Sequence, residues 1–177
     1  IRGGFEYQGQ KCSAASRIYL PKSQWAKIEK KLISEMKTIK VGDPRDFSNF
    51  VNAVIHNSSF ENLKSTIQKT KKDKKAKIIF GGGFNKKKGY FIEPTIILTS
   101  DPNYDTMKRE LFGPIVTIYL YKDQDFDKTL QLIDSTSDYA LTGSIFSKDR
   151  AIITKALQVL ENSAGNFYIN DKPTGAV

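Results

Sequence analysis

The apolar residues of this chain switch period along its length. Trp25, Ile28, Leu32, Ile33 and Met36 recur every three or four positions, which predicts an amphipathic helix over 23–37 with Ser23 as its N-cap. Phe60, Leu63 and Ile67 predict a second helix, capped by Ser58 or Ser59 and running to about residue 70. Phe126, Leu130 and Ile133 predict a third over 125–134. Ile152, Ile153, Ala156, Leu157 and Leu160 predict a fourth over 149–162, with Gly165 as its C-cap. Between the helices lie short runs of β-branched and aromatic residues. They cover 16–20, closed by Pro21; 77–80, ending in three glycines; 90–98, interrupted by Pro94; and 115–121, 141–146 and 166–170. Residues 115–121 are β-forming throughout. Pro94 predicts an edge strand or a bend, because proline cannot donate to a ladder.

Helix and strand periods alternate with short connections in the C-terminal half. That order predicts an α/β domain around a mostly parallel sheet. There is no internal repeat, and 177 residues suffice for one domain with its own core. No apolar run reaches the ~20 residues needed to cross a bilayer. Ile1-Arg2-Gly3-Gly4 lacks a secretory-signal pattern, so any targeting segment is expected outside this chain.

Charge changes the picture little. The net charge is +9, from 28 basic and 19 acidic residues. Two lysine-rich runs, 69–77 and 86–88, lack the interleaved aromatics of a single-strand-binding platform. They read as solvated surface, and no nucleic-acid or membrane partner is expected. One cysteine and one histidine exclude an internal disulfide and serve a metal poorly, so no metal site is expected.

Three segments carry candidate chemistry. Gly81-Gly82-Gly83-Phe84-Asn85-Lys86-Lys87-Lys88-Gly89 suggests a phosphate loop but matches neither glycine-rich signature, and a strand rather than a helix follows it. It reads as an inter-strand loop. Cys12 sits in Gly9-Gln10-Lys11-Cys12-Ser13-Ala14. A lone cysteine is commonly a small buried hydrophobe; these polar and small neighbours suit a nucleophile, with Lys11 favouring thiolate if its side chain points that way. His56 lies in an apolar stretch, which disfavours a Cys-His dyad. Glu110-Leu111-Phe112-Gly113-Pro114 offers a carboxylate that could accept two hydrogen bonds from a ribose diol, beside an aromatic ring. It is also simply a good turn into a strand.

Taken together, Phe5-Glu6-Tyr7-Gln8-Gly9-Gln10-Lys11-Cys12-Ser13-Ala14 resembles the catalytic-cysteine segment of aldehyde dehydrogenases, and Glu110-Leu111-Phe112-Gly113-Pro114 resembles their E-x-F-G-P cofactor motif. Lys40-Val41-Gly42-Asp43-Pro44, Gly89-Tyr90-Phe91-Ile92-Glu93-Pro94, Leu130-Gln131-Leu132-Ile133-Asp134-Ser135-Thr136 and Ala164-Gly165-Asn166-Phe167-Tyr168-Ile169-Asn170-Asp171-Lys172 extend the resemblance over essentially the whole chain. They point to the eukaryotic branch that oxidises glutamate γ-semialdehyde to glutamate in proline catabolism. The resemblance implies a single catalytic domain over 1–177, trimmed at both ends, with helices on both faces of the sheet and no NAD-binding domain. It implies Cys12 as nucleophile, Glu110 and Phe112 as NAD contacts, and Ser13, Gly175 and Ala176 as anchors for the substrate carboxylate. The general-base glutamate and the asparagine of the oxyanion hole would lie upstream, so the chain alone is expected to be inactive. A homo-oligomeric, mitochondrial-matrix enzyme acting on a small aldehyde is implied for the longer protein.

Overall fold

A computed structural model describes residues 1–175, and in it the β-branched runs pair mostly in parallel. The elements follow in the order α1 (Arg2–Phe5), β1 (Arg17–Pro21), α2 (Trp25–Met36), α3 (Asn57–Thr70), β2 (Ala76–Phe80), β3 (Phe84–Asn85), β4 (Phe91–Ile92), β5 (Thr95–Thr99), α4 (Asp105–Lys108), β6 (Ile115–Tyr121), α5 (Phe126–Ser135), β7 (Thr142–Ile145), α6 (Arg150–Val159) and β8 (Asn166–Ile169). The main sheet has the order β1-β6-β5-β2. β6 is parallel to both β1 and β5, while β2 closes the other edge antiparallel. β7 and β8 form a separate parallel pair, and β3 and β4 a short hairpin.

Successive residues of a strand face opposite sides, and β6 divides two cores by that rule. Ile115 packs with Phe60, Leu63 and Ile67 of α3 and with Ile97 of β5. Val116 and Ile118 pack on the other side with Met36 of α2, Phe5 and Ile96. Helices therefore cover both faces of the sheet, as the family resemblance implied. A third cluster, Leu130, Ala156 and Leu160, joins α5 to α6 over β7 and β8. No described helix is long and apolar enough to cross a membrane.

Four expectations change. Ser23 does not cap α2, which begins after a 3-10 turn over Lys22–Gln24; the Ser23 hydroxyl and N–H donate instead to Asp123. His56 caps α3: its Nδ1 accepts from the Ser59 N–H at 3.1 Å, so the histidine does structural work in the local backbone. The run at 90–98 breaks at Pro94 into two strands, and the second, β5, lies inside the sheet. Proline is tolerated there because it precedes the ladder, whose first N–H, from Thr95, donates to the Pro114 carbonyl at 2.8 Å. Gly165 does not end α6, whose C-cap is Leu160; its N–H donates to Ala140 at the approach to β7.

Candidate active site

The strands β1, β6 and β5 point the same way, so the loops that enter them collect at one end of the sheet. Cys12 lies on the loop before β1, and Glu110 and Phe112 lie on the loop before β6. At Cys12 the chain makes a turn in which the Ala14 N–H donates to the Lys11 carbonyl at 3.0 Å. That leaves Cys12 and Ser13 as its two central residues. Among the described residues, neither of their N–H groups donates a hydrogen bond. The Cys12 side chain is exposed. The turn is tied down behind the thiol, where the Ala15 N–H donates to the Gly3 carbonyl at 2.7 Å.

Lys11 does not serve Cys12. Its ammonium pairs with Glu6 at 3.2 Å and lies 5.6 Å from the centre of the Tyr7 ring. The charge is turned back along its own loop, where a partly buried carboxylate neutralises it.

The approach to the turn is unusual. Tyr7, Gln8 and Gly9 have φ values of 53°, 60° and 65°, in the left-handed region. Non-glycine residues are held there only when the surroundings over-determine them. Two glutamines supply that constraint. The Gln8 Oε1 accepts from the Asn52 N–H at 3.2 Å and its Nε2 donates to the Ala53 carbonyl at 3.4 Å. The Gln10 Oε1 accepts from the Ile55 N–H at 3.0 Å. The segment 52–55 thus acts as a rail for the loop that carries Cys12.

The two candidate loops meet at glycines. A Cβ on Gly9 would come within 2.4 Å of the Gly113 carbonyl oxygen, and one on Gly113 within 2.5 Å of Leu63 in α3. Gly9 lets the cysteine loop close on the second loop, and Gly113 lets that loop close on the helix. Glu110 is exposed, and Phe112 is 43% exposed with a φ of 51°. Next to them, Arg109 fastens the segment to α3. Its guanidinium donates to Asp105 at 2.7 Å, Asn62 at 3.1 Å and Thr66 at 3.3 Å. Arg109 and the two glutamines escaped the sequence reading; the only sequence signal was the Asp105–Arg109 spacing of four.

The hydrogen bonds from Arg109 hold the Asp105 carboxyl below its ordinary value, with burial opposing them. A carboxyl with a lowered folded-state pKa adds stability above its unfolded value of about 3.9 and loses it as pH falls through the folded value. Asp105→Asn should therefore remove a small acid-side stability component, no more than about 0.5 kcal/mol for so exposed a pair. Urea midpoints of both proteins between pH 6 and pH 3 check this; a difference that persists undiminished at pH 3 contradicts it.

The remaining candidates are less closely gathered. Ser13 is only 5% exposed, and its carbonyl accepts from the Thr142 hydroxyl at 3.4 Å. Gly175 ends a 3-10 turn over Pro173–Gly175. That segment returns toward α1, where Pro173 would lie 3.3 Å from a Cβ on Gly3. Ala176 lies outside the described residues. Among those described, no three His, Cys, Asp or Glu side chains group to hold a metal ion.

Comparison with known proteins gives consistent results. The aldehyde dehydrogenase family pattern matches residues 1–177. The mitochondrial delta-1-pyrroline-5-carboxylate dehydrogenase of Dictyostelium discoideum is 54% identical over 177 residues, covering 100% of this chain and 32% of that protein. The human protein of the same name is 47% identical over 178 residues with the same coverage. Among solved structures, the Mycobacterium tuberculosis delta-pyrroline-5-carboxylate dehydrogenase bound with NAD superposes with a TM-score of 0.91 at 40% identity, covering 100% of this chain and 32% of that one. The chain therefore spans about a third of the length of the curated relatives it matches.

Proposed function

The chain belongs to the aldehyde dehydrogenase family, and from that premise we propose that it supplies the nucleophile-bearing part of a longer, NAD-dependent glutamate γ-semialdehyde dehydrogenase. The observation that carries this reading is the Cys12 turn. It presents an exposed thiol whose own N–H is undonated among the described residues, on a loop closed against the Glu110–Phe112 loop.

In this reading the Cys12 thiolate attacks the aldehyde carbon, forming a C–S bond and an oxyanion. The Cys12 N–H lies on the same turn and donates to that oxyanion. NAD held beside Glu110 and Phe112 would supply the hydride acceptor. Loss of hydride leaves a thioester on Cys12, and water then cleaves it to the carboxylate product and free thiol. Glu110 is exposed and in no ion pair among the described residues, which suits acceptance of two ribose hydroxyls. The half-exposed Phe112 ring stands beside it to pack on the nicotinamide side. Ser13, Gly175 and Ala176 are proposed to hold the substrate α-carboxylate. The general base comes from outside this chain, so the chain by itself is proposed to be inactive. We further propose a homo-oligomer resident in the mitochondrial matrix, a location consistent with the names of the relatives.

Glu110→Gln in the full-length enzyme should raise the KM for NAD about tenfold, since hydrogen bonds to a charged acceptor contribute about 1.5 kcal/mol. Steady-state kinetics check it, with kcat moving less than KM. An unchanged KM would remove Glu110 from the cofactor site.

A further inference from the structure

The turn that carries Cys12 lies between strands, and nothing in the sheet fixes the direction of its thiol. The N–H groups of Cys12 and Ser13 donate to nothing among the described residues, and the proposed reaction needs the Cys12 N–H free for an oxyanion. A turn whose own donors stay free has to be held from either side. After Cys12, the Ala15 N–H donates to the Gly3 carbonyl at 2.7 Å. Before it, the chain is confined at Gly9, where a Cβ would meet the Gly113 carbonyl. Gln10 and Lys11 lie between Gly9 and Cys12. Lys11 turns its ammonium back to Glu6, within the same loop. Among the described residues, Gln10 alone of these two reaches outside it.

The Gln10 Oε1 accepts from the Ile55 N–H at 3.0 Å, and its Nε2 donates to the Ser59 hydroxyl at 3.5 Å. The oxygen has to face Ile55, because a backbone N–H can only donate. Ile55 is a fixed donor. Val54 before it is buried, with its N–H on the Tyr90 carbonyl at 2.9 Å, and His56 after it caps α3 through the Ser59 N–H. One side-chain amide thus ties the approach to the thiol to the first turn of a packed helix. Gln8 makes its bonds on the far side of Gly9, at Asn52 and Ala53.

We propose that Gln10 is a positioning residue for the Cys12 thiol, and that its bond to the Ile55 N–H sets the direction from which sulfur meets the aldehyde. The assignment rests on the reading of Cys12 as nucleophile. The bond is exposed, so water takes the place of the amide when the side chain is removed, and the fold loses little. Water does not restore direction, and a misplacement of about 1 Å can cost on the order of 10²-fold in rate. A large loss of rate at nearly constant stability is the signature of this role.

The test compares three substitutions in the full-length enzyme, each assayed at the plateau of its own pH profile so that differences in thiol ionisation drop out. Gln10→Met keeps the side-chain length without the acceptor, Gln10→Ala removes both, and Gln10→Glu keeps an oxygen for the Ile55 N–H. Gln10→Met and Gln10→Ala should each lose about 30-fold in kcat/KM for the semialdehyde, mostly in kcat, with melting temperature and NAD affinity close to the parent values. Gln10→Glu should stay within about threefold of the parent. Alkylation of Cys12 by iodoacetamide should stay within about twofold in all three, because a small diffusing reagent reaches an exposed thiol without needing it aimed. Turnover of Gln10→Met close to the parent, an equal loss in Gln10→Glu, or a loss that tracks a fall in melting temperature overturns the assignment. A raised KM for the semialdehyde at unchanged kcat also overturns it, by placing Gln10 against substrate. Failure of the nucleophile reading shows separately, as turnover retained by Cys12→Ala, and would remove this assignment with it.

Discussion

Cys12→Ala in the full-length protein is expected to lower kcat/KM for aldehyde oxidation by on the order of 10³-fold or more. The size follows from the chemistry. A free aldehyde has a planar carbonyl that does not expel hydride readily. Addition of the thiolate makes the carbon tetrahedral and places negative charge on oxygen, which drives hydride out. Within this chain there is no second cysteine, and its one histidine is engaged as a helix cap. Because Cys12 is exposed on a turn, its truncation should leave the melting temperature and NAD affinity close to those of the parent protein. Loss of turnover with intact fold and cofactor binding supports the nucleophile assignment. Turnover within tenfold of the parent would remove it.

Gly9→Ala is expected to damage both fold and site without touching a reacting group. At φ of 65° an alanine is already strained, by about 1 kcal/mol. Its Cβ would also stand 2.4 Å from the Gly113 carbonyl oxygen and 2.9 Å from that of Gly4. Both obstacles are backbone, so no side-chain rotation relieves them, and overpacking of this kind costs about 1–3 kcal/mol more. The expected loss is about 2–4 kcal/mol in urea unfolding, with turnover falling because the Cys12 and Glu110 loops separate. An unfolding midpoint within error of the parent would contradict the close approach on which the site geometry depends.

Parts of this arrangement were legible in the sequence. Residues 115–121 read as a strand and form β6 over that span, because every residue in the run favours extended backbone and its first four residues are buried, on both faces. The α3 stripe of Phe60, Leu63 and Ile67 is fully enclosed. Cys12 and the Glu110–Pro114 segment stand out as candidates in the sequence because residue type is a local property, and the structure places both on loops at one end of the sheet. Helix starts were less legible. Ser23, Ser58 and Ser59 all had the side chains of N-caps, but the positions were decided by Asp123, 100 residues from Ser23, and by the extended backbone at His56. The antiparallel β2 was also hidden, since an edge strand has the same two-residue period whichever way it runs.

The sequence by itself determined most of the helices and strands of the sheet and the family to which the chain belongs, and it named the candidates for nucleophile and diol acceptor. Tertiary structure alone decided what stands beside what. It turned Lys11 toward Glu6, set Gly9 against Gly113, and railed the cysteine loop along residues 52–55 through Gln8 and Gln10. The physical reason is range. Periodicity and capping act over a few residues, through backbone geometry and nearby side chains. Apart from the local Lys11–Glu6 pair, these other contacts join positions tens of residues apart, and they form only when burial of the two sheet faces brings those positions together.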